Sequence, residues 1–91
     1  MVFEWEETKA QANLKKHQVS FEEASTVFGD PLSLTIDDPV HSEEESRFVT
    51  VGKSITGRVL IVVHSDRGDY IRIIGARKAT RHERKQYESE E

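Results

Sequence analysis

Apolar residues recur along this chain at spacings that mark its elements one after another. Val2 to Trp5 alternates, with Val2 and Glu4 on one face and Phe3 and Trp5 on the other, the pattern of a short edge strand. Glu6 to Lys16 contains good helix formers with no Pro or Gly, and Ala10, Leu14 and His17 stand at helical spacing. Glu6 and Glu7 at one end and Lys15 and Lys16 at the other complement the helix dipole. A second helix is signalled more strongly. Ser20-Phe-Glu-Glu23 forms a capping box, in which the serine hydroxyl and the glutamate carboxylate satisfy free amides reciprocally, and Val19 fits a hydrophobic staple. Phe21, Ala24, Val27 and Phe28 then make one apolar stripe that Gly29 ends.

Beyond Asp30-Pro31 the period changes from helical to twofold. Leu32, Leu34 and Ile36 alternate with Ser33, Thr35 and Asp37, which predicts a half-buried strand. Asp37 to Ser46 reads as a polar, acidic loop. Three strands at hairpin spacing follow over Arg47–Val51, Arg58–Ser65 and Tyr70–Ala76, joined through Gly52–Gly57 and a tight turn at Asp66–Asp69. Val59 to Val63 is apolar on both faces, which marks a central strand covered on both sides. Thr80 to Tyr87 predicts a closing helix, with Thr80 and Glu83 as a second capping box. The expected fold class is α+β: two N-terminal helices packed on a small antiparallel sheet, with a short C-terminal helix. One sheet face is then open at least in part, to a ligand or a partner.

Composition narrows this picture. A chain of 91 residues makes one domain with one core, and a permanent partner often completes so small a fold. The absence of cysteine excludes disulfides and thiolate metal sites. Val59–Val63, the longest apolar run, is far too short to span a bilayer. The opening MVFEWEE has neither the basic start nor the apolar stretch of a secretory signal, so the expectation is a cytoplasmic protein with no membrane partner. The net charge of -4 conceals an asymmetry: residues 1–46 carry -8, residues 47–85 carry +7 and the tail carries -3. Such a basic half suggests an anionic ligand, the alternative being that the opposite charges pair within the fold.

The motifs, taken together, resemble one family. FEW near the start, NLKKHQVSFEEA with VF and DPL through Leu32, and HSEEESRF from His41 to Phe48 are similar to the BrnT toxins. So are VGKS with GRVL over Val51 to Val63 and RIIGARKAT with ER and a tyrosine over Arg72 to Tyr87. The resemblance runs in order over nearly the whole chain. It implies a RelE-like fold, ribonuclease activity and pairing with a BrnA-type antitoxin that carries a DNA-binding domain. It also implies a heterotetramer through an antitoxin dimer, with promoter DNA contacted only by the antitoxin. Gly75 departs from the family's serine, so no role is assigned there.

Metal-independent RNA cleavage needs a base for the 2′-hydroxyl, cations for the charge on phosphate and an acid for the departing 5′-oxygen. Arginine suits the second role, because its planar fork contacts two phosphate oxygens and keeps its charge. Arg72 interrupts an apolar strand, and reads either as a surface arginine or as a phosphate clamp on the open face. Arg77 lies at the exit of that strand before the Thr80 cap, where a phosphate would also meet the helix's free amides. Lys78, Arg81 and Arg84 follow it as RNA-binding candidates or as a solvated basic face. Arg47 begins a strand and is peripheral, a contact for RNA or antitoxin. Glu83 and Tyr87 share one face of the last helix; the glutamate also serves as a cap, and the tyrosine serves as base, stacking group or anchor. His17 is a proton shuttle or a structural cap at a helix end, and Lys16 with His17 matches the family's Lys-His pair. His41, His64 and His82 lack ligand-like spacing, so neither metal nor other cofactor is expected.

The sequence thus predicts a toxin that cleaves mRNA, with the ribosome as an optional setting, to cyclic phosphate or 3′-phosphate and 5′-hydroxyl ends. The competing class is a non-catalytic module that binds an antitoxin and assists repression. Direct DNA binding is disfavoured, since no helix combines a basic face with a helix-turn-helix pattern.

Overall fold

The computed structural model describes residues 1–38 and 46–89. Its elements run β1 (Val2–Glu4), α1 (Glu7–His17), α2 (Phe21–Ser25), a 3-10 turn (Thr26–Gly29), β2 (Leu34–Asp37), β3 (Arg47–Lys53), β4 (Val59–Arg67), β5 (Tyr70–Lys78) and α3 (Arg81–Ser89). The strands form one sheet in the order β1-β5-β4-β3-β2. β2 to β5 pair antiparallel, and for β3 to β5 the hairpin spacing predicts it. β1 pairs parallel with β5, so the sheet is mixed rather than antiparallel throughout. Hairpin spacing carries no information about β1, whose place is set by packing. Phe3 meets Phe28 at 5.3 Å and Trp5 meets Phe21 edge-on at 6.0 Å, ring centre to ring centre.

The core lies between the helices and one sheet face. Ala10, Val19, Phe21, Ala24 and Val27 pack with Leu60, Val62, Ile73 and Ala76. Each large side chain among them stabilises the fold by about 1.5–3 kcal/mol through burial. Asn13 fastens α1 to the sheet. Its side chain accepts from the Ala76 amide at 3.1 Å and donates to the Ala76 carbonyl at 2.8 Å. It thereby completes the edge of β5 beyond the three residues that β1 pairs. Leu14, expected on the buried face, is instead 50% exposed, because Ala10 and Asn13 hold the contact with β5.

The second helix is shorter than its stripe predicts: the α-helical turns end at Ser25 and a 3-10 turn continues to Gly29. Ser20 caps it, accepting from the Glu23 amide at 3.0 Å. Glu23 does not reciprocate as a capping box would; its carboxylate binds Arg58 and the hydroxyls of Ser54 and Thr56. The turn between β3 and β4 thus outcompetes the local cap. β4 is the central strand, as its apolar run predicts, and extends to Arg67 so that only Gly68 and Asp69 turn to β5. The expected loop at Asp37–Ser46 lies mostly outside the described residues, and Asp37 itself belongs to β2.

Gly52 allows the sheet to approach the helices. A Cβ there would lie 2.8 Å from Val27 Cγ1 and 2.9 Å from Ser33 Cβ. His64, to which the sequence assigns no ligand role, is buried between Phe28 and Phe48. Its Nε2 meets Thr50 Oγ1 at 2.7 Å, and that hydroxyl meets Thr35 Oγ1 at 2.7 Å. Burial pushes the His64 pKa down, with Asp66 opposing.

Candidate functional site

The sheet face away from α1 and α2 forms the site. Register places Leu34 beside Val51, Ile36 beside Val49, and these beside Ile61 and Val63. The six aliphatic side chains floor an open cleft of about 600 Å³. Arg77, Glu83 and Tyr87 also line it. β2 is exposed over its whole length rather than half-buried, with Ile36 at 66%, because its apolar face points into this cleft.

Arg77 belongs to β5, which continues to Lys78 instead of ending at Ala76. It stands opposite Ile61, and its Nη1 and Nη2 donate to the two carboxylate oxygens of Glu83 at 2.8 and 2.9 Å. Glu83 is also the predicted cap: it accepts from the Thr80 amide at 2.8 Å while its own amide donates to Thr80 Oγ1 at 3.1 Å. One carboxylate therefore starts α3 and orients Arg77. The Arg77 guanidinium holds the Glu83 pKa down at about 2, against the opposing effect of burial, and the Arg77 pKa rises reciprocally. Both terminal nitrogens of Arg77 are engaged by Glu83, Nη1 also reaches the Lys78 carbonyl at 3.3 Å, and the side chain as a whole remains 42% exposed.

Tyr87 is 2% exposed, and its hydroxyl donates to the Asp30 carboxylate. Asp30 also accepts from the Leu32 amide at 2.9 Å and the Lys53 amide at 2.8 Å. Burial raises its pKa, but the Lys53 amide, the Tyr87 hydroxyl and the Leu32 amide outweigh that and leave it lowered. Tyr87 thus ties α3 to the turn before β2, the anchoring alternative among its three expected roles. Sequence reasoning missed Asp30 as its partner, since they lie far apart in the chain.

The other expected site residues lie apart from Arg77 and Glu83, although Arg47 on β3 and Arg72 on β5 both stand opposite Ser65 and so share one row of the open face. Arg72 donates to Glu4 on β1 at 2.8 Å. A bulge at Val63/His64 interrupts the register between Arg72 and the end of β5. Arg47 stands opposite Ser65, half-buried on β3. Lys78, Arg81 and Arg84 are exposed, the last two on α3. His17 and Lys16 end α1 in the helical layer and do not line the cleft. Arg58, which like Arg47 stands near the start of a strand, is committed to Glu23 and to the Gln18 carbonyl. At Gly75 an added Cβ would meet only Asn13 Oδ1 at 3.9 Å, so packing does not require glycine there. Among the described residues no cluster of His, Asp and Glu could hold a metal ion, and no helix is long and apolar enough to cross a membrane.

Comparison with known families defines the class: ribonuclease toxins of type II toxin–antitoxin systems. The family model that matches residues 5–83 is described as ribonuclease toxin, BrnT, of type II toxin–antitoxin system. The chain belongs to the BrnT family. Its fold is similar to that of the Brucella abortus ribonuclease toxin, BrnT, with a TM-score of 0.65 at 19% identity over 89% of this chain and 100% of that one. No curated protein sequence matches the chain.

Proposed function

We propose that this chain, residues 1–91 as one RelE-like domain, cleaves mRNA in the cytoplasm without a metal, and that Arg77 clamps the scissile phosphate. The observation that carries this reading is the bidentate Arg77–Glu83 pair, which fixes a partly exposed guanidinium at the mouth of the cleft. Cleavage proceeds by attack of the 2′-hydroxyl on the adjacent phosphorus. The 2′-oxygen loses its proton as it bonds, the bond to the 5′-oxygen breaks, and that oxygen gains a proton. Products are a cyclic phosphate, or the 3′-phosphate it hydrolyses to, and a 5′-hydroxyl. A preoriented guanidinium favours the charge that grows on the phosphoryl oxygens. Glu83 and Tyr87 act as positioning residues, one holding the guanidinium and the other the helix that carries Glu83. Lys78, Arg81 and Arg84 take neighbouring phosphates. His17, Lys16, Arg47 and Arg72 lie outside the line of Arg77 and Glu83, and in this reading they meet the strand elsewhere.

The activity blocks translation, on free or ribosome-bound message, and a BrnA-type antitoxin neutralises it in a heterotetramer built on an antitoxin dimer. Promoter DNA is contacted through that antitoxin. A second reading, a non-catalytic antitoxin-binding module, is favoured by the commitment of Tyr87 and Arg72 to internal partners. Incubating the purified chain with RNA in EDTA separates them. Cleavage to 5′-hydroxyl ends supports the first, and intact RNA supports the second.

A further inference from the structure

We infer that the aliphatic cleft floor and β2, the outermost strand among the described residues, together seat the antitoxin, which covers them with an aliphatic, acid-bearing segment. The inference deepens the reading of the Arg77 cleft given above. The cleft floor is its first support. The six aliphatic side chains of the floor present no hydrogen-bonding group to a nucleobase, Gln86 and Ser89 line only the α3 wall, and Tyr87, the ring among the described lining residues, is buried. Single-stranded RNA is recognised by stacking on rings or guanidinium planes and by bonds to base edges. A phosphate can reach Arg77 at the rim, but the floor suits leucine- or valine-like side chains.

The sheet edge is the second support. β1 closes its own side with three residues and the charged Glu4. β2 closes the other with Leu34, Thr35, Ile36 and Asp37, all exposed. An edge strand with apolar side chains and little charge is a template for an added strand unless something covers it. Alternate residues of an added strand would extend the row of Leu34 and Ile36 across the open face.

Charge selects among occupants. α3, whose Glu83, Gln86, Tyr87 and Ser89 line the cleft, carries exposed Arg81, Arg84 and Lys85 next to that lining. A second copy of this chain docked face to face would bring like charges together. An acidic segment would not. A toxin of a type II system has an antitoxin as its protein partner, which gives the occupant its identity. Because Arg77 and Glu83 line the same cleft, antitoxin and RNA then exclude one another there.

The test is a titration of the cognate antitoxin against free toxin, comparing the parent with the double variant Leu34→Glu and Ile36→Glu. The expected result is binding weakened more than about tenfold, as for truncating an interface anchor, with the folded circular-dichroism spectrum unchanged. Ile55→Glu serves as the control, since Ile55 is 82% exposed at a hairpin tip outside the cleft and should bind like the parent. Unchanged affinity in the double variant overturns the inference, and so does an equal loss in the control. If the double variant misfolds, serines at the two positions carry the same comparison. A parent that binds antitoxin through this face but leaves RNA intact contradicts the ribonuclease reading and not the docking surface.

Discussion

Gly52 and Glu83 each do at one position what a whole element needs. With a Cβ at Gly52 already 2.8 Å from Val27, Gly52→Ala forces strand and helix apart. The expected cost is about 1–3 kcal/mol, read as a lower Tm, in keeping with overpacked cores. Gly75 has room, so Gly75→Ser should leave Tm unchanged. Tyr87→Phe removes the hydroxyl that Asp30 accepts, and about 1–3 kcal/mol of stability should be lost with the backbone fold intact. Its effect on RNA cleavage should be several times smaller than that of Arg77→Ala, as befits a residue that positions α3. The cap at Glu83 was legible in the sequence, because Thr80 and Glu83 are three apart and a capping box is a local signal. Its second bond, to Arg77, was not: strand twist and the turn at Ala79 and Thr80 decide where Arg77 points.

Elements show the same division between local and distant signals. The strand alternations of β2 to β5 were readable, and so was the central place of β4. The parallel partner of β1 was not, since three residues carry no register. The cleft floor was within reach: Leu34, Ile36, Val49, Val51, Ile61 and Val63 share a parity that the hairpin register aligns. Acid sensitivity is an element-level property here, because Glu23 joins α2 to the β3–β4 hairpin and Glu83 joins β5 to α3. Both carboxyls are held at about 2 against an ordinary 4.5, chiefly by Arg58 and by Arg77. A folded pKa below the unfolded one gives stability above the unfolded value that is lost as pH falls. Their contribution should therefore be complete above 4.5 and fade toward 2. His64, its pKa lowered by burial, adds an earlier loss that begins below its ordinary 6.5. Unfolding monitored against pH should show both, and Glu23→Gln should flatten the lower one.

At the scale of the molecule, the helices and one sheet face build the core, while the other face carries the open cleft. Membership of the BrnT family rests on the match over residues 5–83, and the Brucella toxin shares the fold at low identity. The basic half seen in the sequence divides in the structure. Arg58 and Arg72 pair with acidic residues of the first half, and Arg77 pairs within its own half at the cleft. Arg77 is thus the cation on which the ribonuclease proposal depends. The most direct test measures cleavage of a short RNA by purified toxin in EDTA, for the parent and for Arg77→Ala, with the 5′ ends identified. The parent should release 5′-hydroxyl ends, and the variant should be slower by about 100-fold or more, the cost of removing one charge-stabilising donor. Equal rates for the two proteins would contradict the assignment of Arg77, and intact RNA with the parent would contradict the ribonuclease itself.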